Sequence, residues 1–133
     1  MALTDIEGIG PALAEKLKSA GVGSIARLLE KGATKKGRQE LAAASGIGES
    51  LLLKFVNHAD LMRIKGIGGE YAELLEASGV DTVPALARRN PENLHARMAE
   101  VNAEKKLVRS LPSVGQVTRW VEQAKALDRV VEY

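Results

Sequence analysis

The chain of 133 residues has no cysteine, which excludes disulfides, thiolate nucleophiles and zinc–thiolate sites. Its two histidines, His58 and His95, are too few for a histidine-rich metal centre, and no Asp, Ser or His stands at triad or ligand spacing. No metal site and no catalytic residue is therefore expected. Aromatic residues make up 3%, and Phe55 and Trp120 lie on helical apolar patterns, so they read as core rather than as a base-stacking platform. The longest aliphatic stretch, Leu51–Val56, is broken by Lys54 and cannot cross a membrane. The first residues lack a basic segment followed by an apolar one, so no secretory signal is read, and a soluble cytoplasmic protein is expected. Neither Gly-x-Gly-x-x-Gly nor a Walker motif occurs, so no small-molecule cofactor is expected and the chain does not read as an enzyme. A large excess of one charge is missing too. Residues 1–60 carry 8 Lys/Arg and 7 Asp/Glu, residues 61–133 carry 11 and 10, and the net charge is +2. Any basic face must come from arrangement.

What the chain does have is a repeat. Displaced by 58 residues, Ile6-Glu-Gly8-Ile9-Gly10 falls on Ile64-Lys-Gly66-Ile67-Gly68. Ala14-Glu15, Leu17, Gly21-Val22 and Leu28 fall on Ala72-Glu73, Leu75, Gly79-Val80 and Leu86. That makes 10 identities in 24 ungapped positions, against about two by chance from ordinary residue frequencies. The match resumes with seven extra residues, Phe55-Val56 against Trp120-Val121, which places an insertion within Glu104–Pro112. Two units follow, residues 1–60 and 61–133. They are expected to share a helix over about 49–65 and to form one rigid body, because Asn57-His58-Ala59-Asp60 contains no Gly or Pro.

Each unit reads as short helices. Leu13, Leu17 and Ala20 share a helical face, as do Tyr71, Leu74, Leu75 and Ser78. Pro11 suits a first turn. Gly21 and Gly79 suit left-handed helix ends, and Ser24 and Thr82 suit the N-caps that follow. Thr34 opens a helix to about Ser45, and Asn90-Pro91-Glu92 opens its counterpart. No stretch alternates with period two. The expected fold is all-α, two pseudo-repeats of about four helices each.

Gly8-Ile9-Gly10, Gly46-Ile47-Gly48 and Gly66-Ile67-Gly68 each join one helix end to the next helix start, and Pro112-Ser113-Val114-Gly115 looks like a degraded fourth. The first glycine allows positive φ, the isoleucine inserts into the core, and the second glycine begins a helix with outward N–H groups. Ile6-x-Gly8-Ile9-Gly10-x-x-x-Ala14-x-x-Leu17 and Ile64-x-Gly66-Ile67-Gly68-x-x-x-Ala72-x-x-Leu75 resemble the helix-hairpin-helix superfamily. Over residues 3–128 the chain also resembles a bacterial family, a domain of unknown function, built from tandem helix-hairpin-helix units. The resemblance implies a non-catalytic module. Many relatives bind DNA backbone without reading sequence, while others have lost this and serve as protein-interaction or scaffold modules.

The expected nucleic-acid contacts are Gly8, Gly10 and Ala12 at the first hairpin and Lys65, Gly66, Gly68 and Gly69 at the second. Lys35 and Lys36 come from the basic run Lys31–Arg38, and Lys105 from the cluster Lys105, Lys106 and Arg109. Several residues oppose this. Pro11 removes one donor, and Glu49 and Glu70 stand in first helical turns, where a carboxylate satisfies the dipole itself. DNA or RNA backbone and a protein partner both remain open as ligands.

Overall fold

Pro11 has no N–H to leave unpaired, and the first α-helix begins on it. In the computed structural model, which describes residues 2–133, a 3-10 turn (Leu3–Asp5) precedes eight α-helices. These are α1 (Pro11–Ser19), α2 (Ile25–Gly32), α3 (Lys35–Ser45), α4 (Glu49–Leu61), α5 (Gly69–Ala77), α6 (Val83–Ala87), α7 (Pro91–Lys105) and α8 (Val114–Lys125). There is no strand among the described residues, so the protein is all-α. The chain groups into two compact units. The first runs to Asp60 and includes Val130–Tyr133, and the second is Leu61–Arg129.

Glycine geometry sets the helix ends. Val22 N–H reaches Leu17 O (2.8 Å) and Gly21 N–H reaches Lys18 O (3.0 Å), with Gly21 at φ +88°. Val80 and Gly79 make the same pair with Leu75 and Glu76, at 2.9 and 3.0 Å. This is the double closure of a Schellman motif, and the apolar residue after each glycine, Val22 or Val80, is fully buried. Ser24, Thr34, Asn90 and Ser113 then cap α2, α3, α7 and α8, each accepting a backbone N–H three residues on. Thr82 stands at the cap position of α6 but makes no such bond; its Oγ1 donates to Asp81 Oδ1 at 3.3 Å instead. Helix α4 stops at Leu61, short of the expected end near residue 65, because Ile64 N–H turns back to Leu61 O.

In the first unit α1 and α2 each pack on α3. Leu17, Leu28, Leu41, Leu52 and Phe55 are buried. Burying a side chain such as Phe55 stabilises by about 1.5–3 kcal/mol. Val56 lies so close to Gly32 that a methyl group there would overlap it, so this glycine stands in α2 for packing, not for a turn. Arg38, part of the basic run of the sequence, is buried. Its guanidinium donates to Gly32 O (2.8 Å), Ala33 O (3.2 Å) and Glu132 O (2.7 Å). It thereby satisfies the carbonyl end of α2 and, with the Glu132 N–H to Ala33 O bond, holds the segment Val130–Tyr133.

In the second unit α8 packs on α6 and α7, and α7 on α5. Trp120 is buried, with its ring 5.3 Å from that of Tyr71 and inclined by 50°. The extra length of this unit is not confined to a loop. Helix α7 has 15 residues against 11 in α3, and an irregular segment, 106–113, follows it.

Candidate nucleic-acid interface

The turn Ile6–Ile9 is closed by Ile9 N–H to Ile6 O at 3.1 Å, and Ile64–Ile67 by the equivalent bond at 3.2 Å. Gly8 (φ +94°) and Gly66 (φ +101°) occupy the third position of these turns, where φ must be positive. Ile9 and Ile67 are 3% and 1% exposed, which inserts them in the core and fixes each turn over it. Beneath Gly8 lies the Phe55 ring, and beneath Gly66 the Trp120 ring. A Cβ on either glycine would come within 3.2 Å of Phe55 Cε1 or 3.0 Å of Trp120 Nε1. Phe55 and Trp120, matched in the repeat, thus do the same job in each unit, and neither is available for stacking on a base.

Gly10 caps α1 and Gly68 caps α5 in extended conformation. Their carbonyls accept the first intrahelical bonds, from Ala14 and Ala72. Neither has a side chain to satisfy the next N–H groups. Gly48 accepts from Leu52 N–H at the start of α4 and is equally bare. By contrast α2, α3, α7 and α8 carry a side-chain cap, while α6, whose Thr82 makes no cap bond, starts without one. The segment Pro112–Gly115 belongs with the self-capped starts. Ser113 accepts from Gln116 N–H, Gln116 Oε1 accepts from Ser113 N–H, and Gly115 lies inside the helix.

The three bare starts differ. At α1, Gly10, Pro11 and Ala12 are exposed and the first turn carries no acid, leaving the Ala12 and Leu13 N–H groups without a cap. At α4, Glu49 and Ser50 are exposed, and the carboxylate stands in the first turn. At α5, Gly68 is half-buried, Gly69 is buried and Glu70 is exposed in the first turn. The α1 start is therefore the most open to an anion, although it lacks the Pro11 donor.

The predicted cations lie apart along the chain. Lys35 and Lys36 are exposed in the first turn of α3, where the helix dipole disfavours positive charge. Lys35 lines a cavity of about 230 Å³ together with Arg38, Glu49, Ser50, Leu53 and Tyr133, which sets it beside the α4 start. Lys65 has an exposed side chain, and its peptide is held on both sides by Gln123, at 3.0 and 3.3 Å. Lys105 is exposed at the end of α7. Arg38, as described, is consumed inside the fold, and Arg89 is half-buried against Ser78 O. Of the histidines, His58 is fully buried and His95 bonds Pro112 O at 2.8 Å. Among the described residues no group of three His, Cys, Asp or Glu could hold a metal ion, and no helix is long and apolar enough to cross a membrane.

Sequence reasoning missed the role of Arg38, because its partners are three carbonyls, two at the end of α2 and one 94 residues away. It also missed the αL conformation of Lys106, for which nothing but glycine gives a local signal.

Residues 7–127 match the family described as domain of unknown function DUF4332, and the chain belongs to that family. No solved structure matches the chain.

Proposed function

We propose that this protein is a non-catalytic tandem helix-hairpin-helix module that binds the backbone of nucleic acid without reading sequence. What supports this reading is the contrast in capping. Helices that follow Gly-Ile-Gly start bare, while α2, α3, α7 and α8 carry a Ser, Thr or Asn cap. A bare start leaves N–H groups and about half a positive charge for a phosphate. The α1 start leads, and the exposed side chains of Lys35, Lys36, Lys65 and Lys105 are the cations taken to contribute further phosphate contacts.

A scaffold module that has lost phosphate binding is the second reading. Its support is the burial of Gly69 and the carboxylates of Glu49 and Glu70 in first turns. Titration of a labelled duplex over a series of salt concentrations separates the two. Two to four neutralised phosphates give a slope of log K against log[salt] of about −2 to −4, the same for unrelated sequences. No binding at low salt leaves the scaffold reading.

A further inference from the structure

Helix α3 ends on Gly46, at φ +75°, whose N–H bonds Ala42 O at 2.9 Å. Helix α7 ends on Lys106, at φ +52°, whose N–H bonds Asn102 O at the same distance. Lys106 is the one non-glycine with positive φ among the described residues, at the place where the first unit has glycine. A side chain there is strained, and the strain confers nothing on the helix end, which glycine would close as well.

The segment after Lys106 is held firmly. The Asn102 amide donates to Val108 O (3.1 Å) and accepts from Val108 N–H (2.9 Å). Tyr71 Oη donates to Ser110 O (3.1 Å), and His95 Nε2 lies 2.8 Å from Pro112 O. Val108 and Pro112 are buried. Between these anchors Lys105, Lys106 and Arg109 are exposed, and none of their side chains makes a hydrogen bond or ion pair among the described residues. In this they are like most exposed cations among the described residues; Arg27, Arg97 and Lys125, each paired with a glutamate three residues away, are the exceptions. The segment thus stands between α7 and α8 where the first unit has Gly46-Ile47-Gly48 between α3 and α4, and it presents three cations on a braced backbone.

We infer that the segment Lys105–Arg109 is a second phosphate-contacting element, in which Lys106 and Arg109 neutralise backbone phosphates through side chains. The inference rests on the nucleic-acid reading and adds to it a contact independent of any helix start. A braced loop loses little freedom on binding, which is what its side-chain anchors provide. The excess of unpaired cations over the single neighbouring carboxylate, Glu104, favours a regularly charged polyanion.

The test compares wild type, Lys106→Gly and the double variant Lys106→Gly/Arg109→Ala by titration against a labelled duplex at 50 and 200 mM salt. Each lost contact makes the salt slope shallower by about 0.9. Wild type then loses about twelvefold more affinity than the double variant between the two salt concentrations. Lys106→Gly melts at or above the wild-type temperature, since it removes strain, so weaker binding cannot be ascribed to misfolding. Wild-type binding with unchanged affinity and slope in both variants overturns this inference and leaves the helix-start reading intact. Absence of wild-type binding overturns both. Competition by polyglutamate as effective as competition by unlabelled duplex reassigns the segment to an acidic protein and overturns the inference as well.

Discussion

Gly66→Ala is the sharpest perturbation of the turn Ile64–Ile67, because two separable penalties fall on one methyl group. The first is conformational. At φ +101° an L-residue is strained by about 1–2 kcal/mol. The second is crowding. The new Cβ would sit 3.0 Å from Trp120 Nε1, and Trp120 is itself held between Tyr71 and the buried core, so it yields only by repacking. Overpacking of this kind costs about 1–3 kcal/mol. The sum is about 2–5 kcal/mol. Gly21→Ala isolates the first penalty, for its φ is +88° and nothing lies within 4 Å of the added Cβ. It should cost about 1–2 kcal/mol. Gly10→Ala carries neither penalty; as an N-cap change from glycine to a poorer capping residue it should cost less than about 1 kcal/mol. Denaturant midpoints for the three variants give the order directly. The reasoning fails if Gly66→Ala is no more destabilised than Gly21→Ala, because Trp120 would then not be the constraint, or if both match Gly10→Ala.

Three further outcomes are expected. Arg38→Met leaves the carbonyls of Gly32, Ala33 and Glu132 without their donor and should lower stability by about 2–4 kcal/mol in the same assay; Arg38→Lys should recover only part, since an ammonium cannot span three acceptors as the guanidinium does. Asn102→Ala removes both bonds to Val108 and should speed amide exchange across residues 106–110 with little effect on α1. Glu70→Gln removes the charge in the first turn of α5 and should tighten duplex binding at low salt by several-fold if the second hairpin is a contact, with no change if Gly69 is too covered to take part.

Much of the local structure was legible because it is written in backbone chemistry. Positive φ at Gly8, Gly21, Gly66 and Gly79, the caps at Ser24, Thr34 and Asn90, and the proline starts at Pro11 and Pro91 all follow from residues next to the feature they cause. The apolar repeat likewise identified Phe55 and Trp120 as equivalent core residues. What was not legible depends on groups far apart in sequence or on a rule broken locally. Arg38 reads in the sequence as the end of a basic run, whereas its guanidinium is held by carbonyls, one of them 94 residues away. Thr82 had the right residue type for a cap, but the neighbouring Asp81 took its hydroxyl. Gly115 matched the second glycine of a hairpin by position, but Ser113 and Gln116 form a capping box around it and carry the helix through. The reach of α4 was overestimated because no Gly or Pro interrupts Asn57-His58-Ala59-Asp60, whereas the backbone turns back just beyond, at Leu61.

The bare start of α1 is best probed at Gly10, where φ is −89° and nothing lies within 4 Å of an added Cβ, so side chains fit without strain. Gly10→Ser should let its hydroxyl accept the N–H groups now open, as Ser113 does at α8, and Gly10→Asp should add a negative charge at the same place. Both variants should melt at or slightly above the wild-type temperature. Gly10→Ser should weaken duplex binding, and Gly10→Asp should weaken it further, on the order of tenfold at low salt, because the anion and the carboxylate compete for one helix dipole. Unchanged duplex affinity in a stably folded Gly10→Asp variant would contradict phosphate recognition at the α1 start.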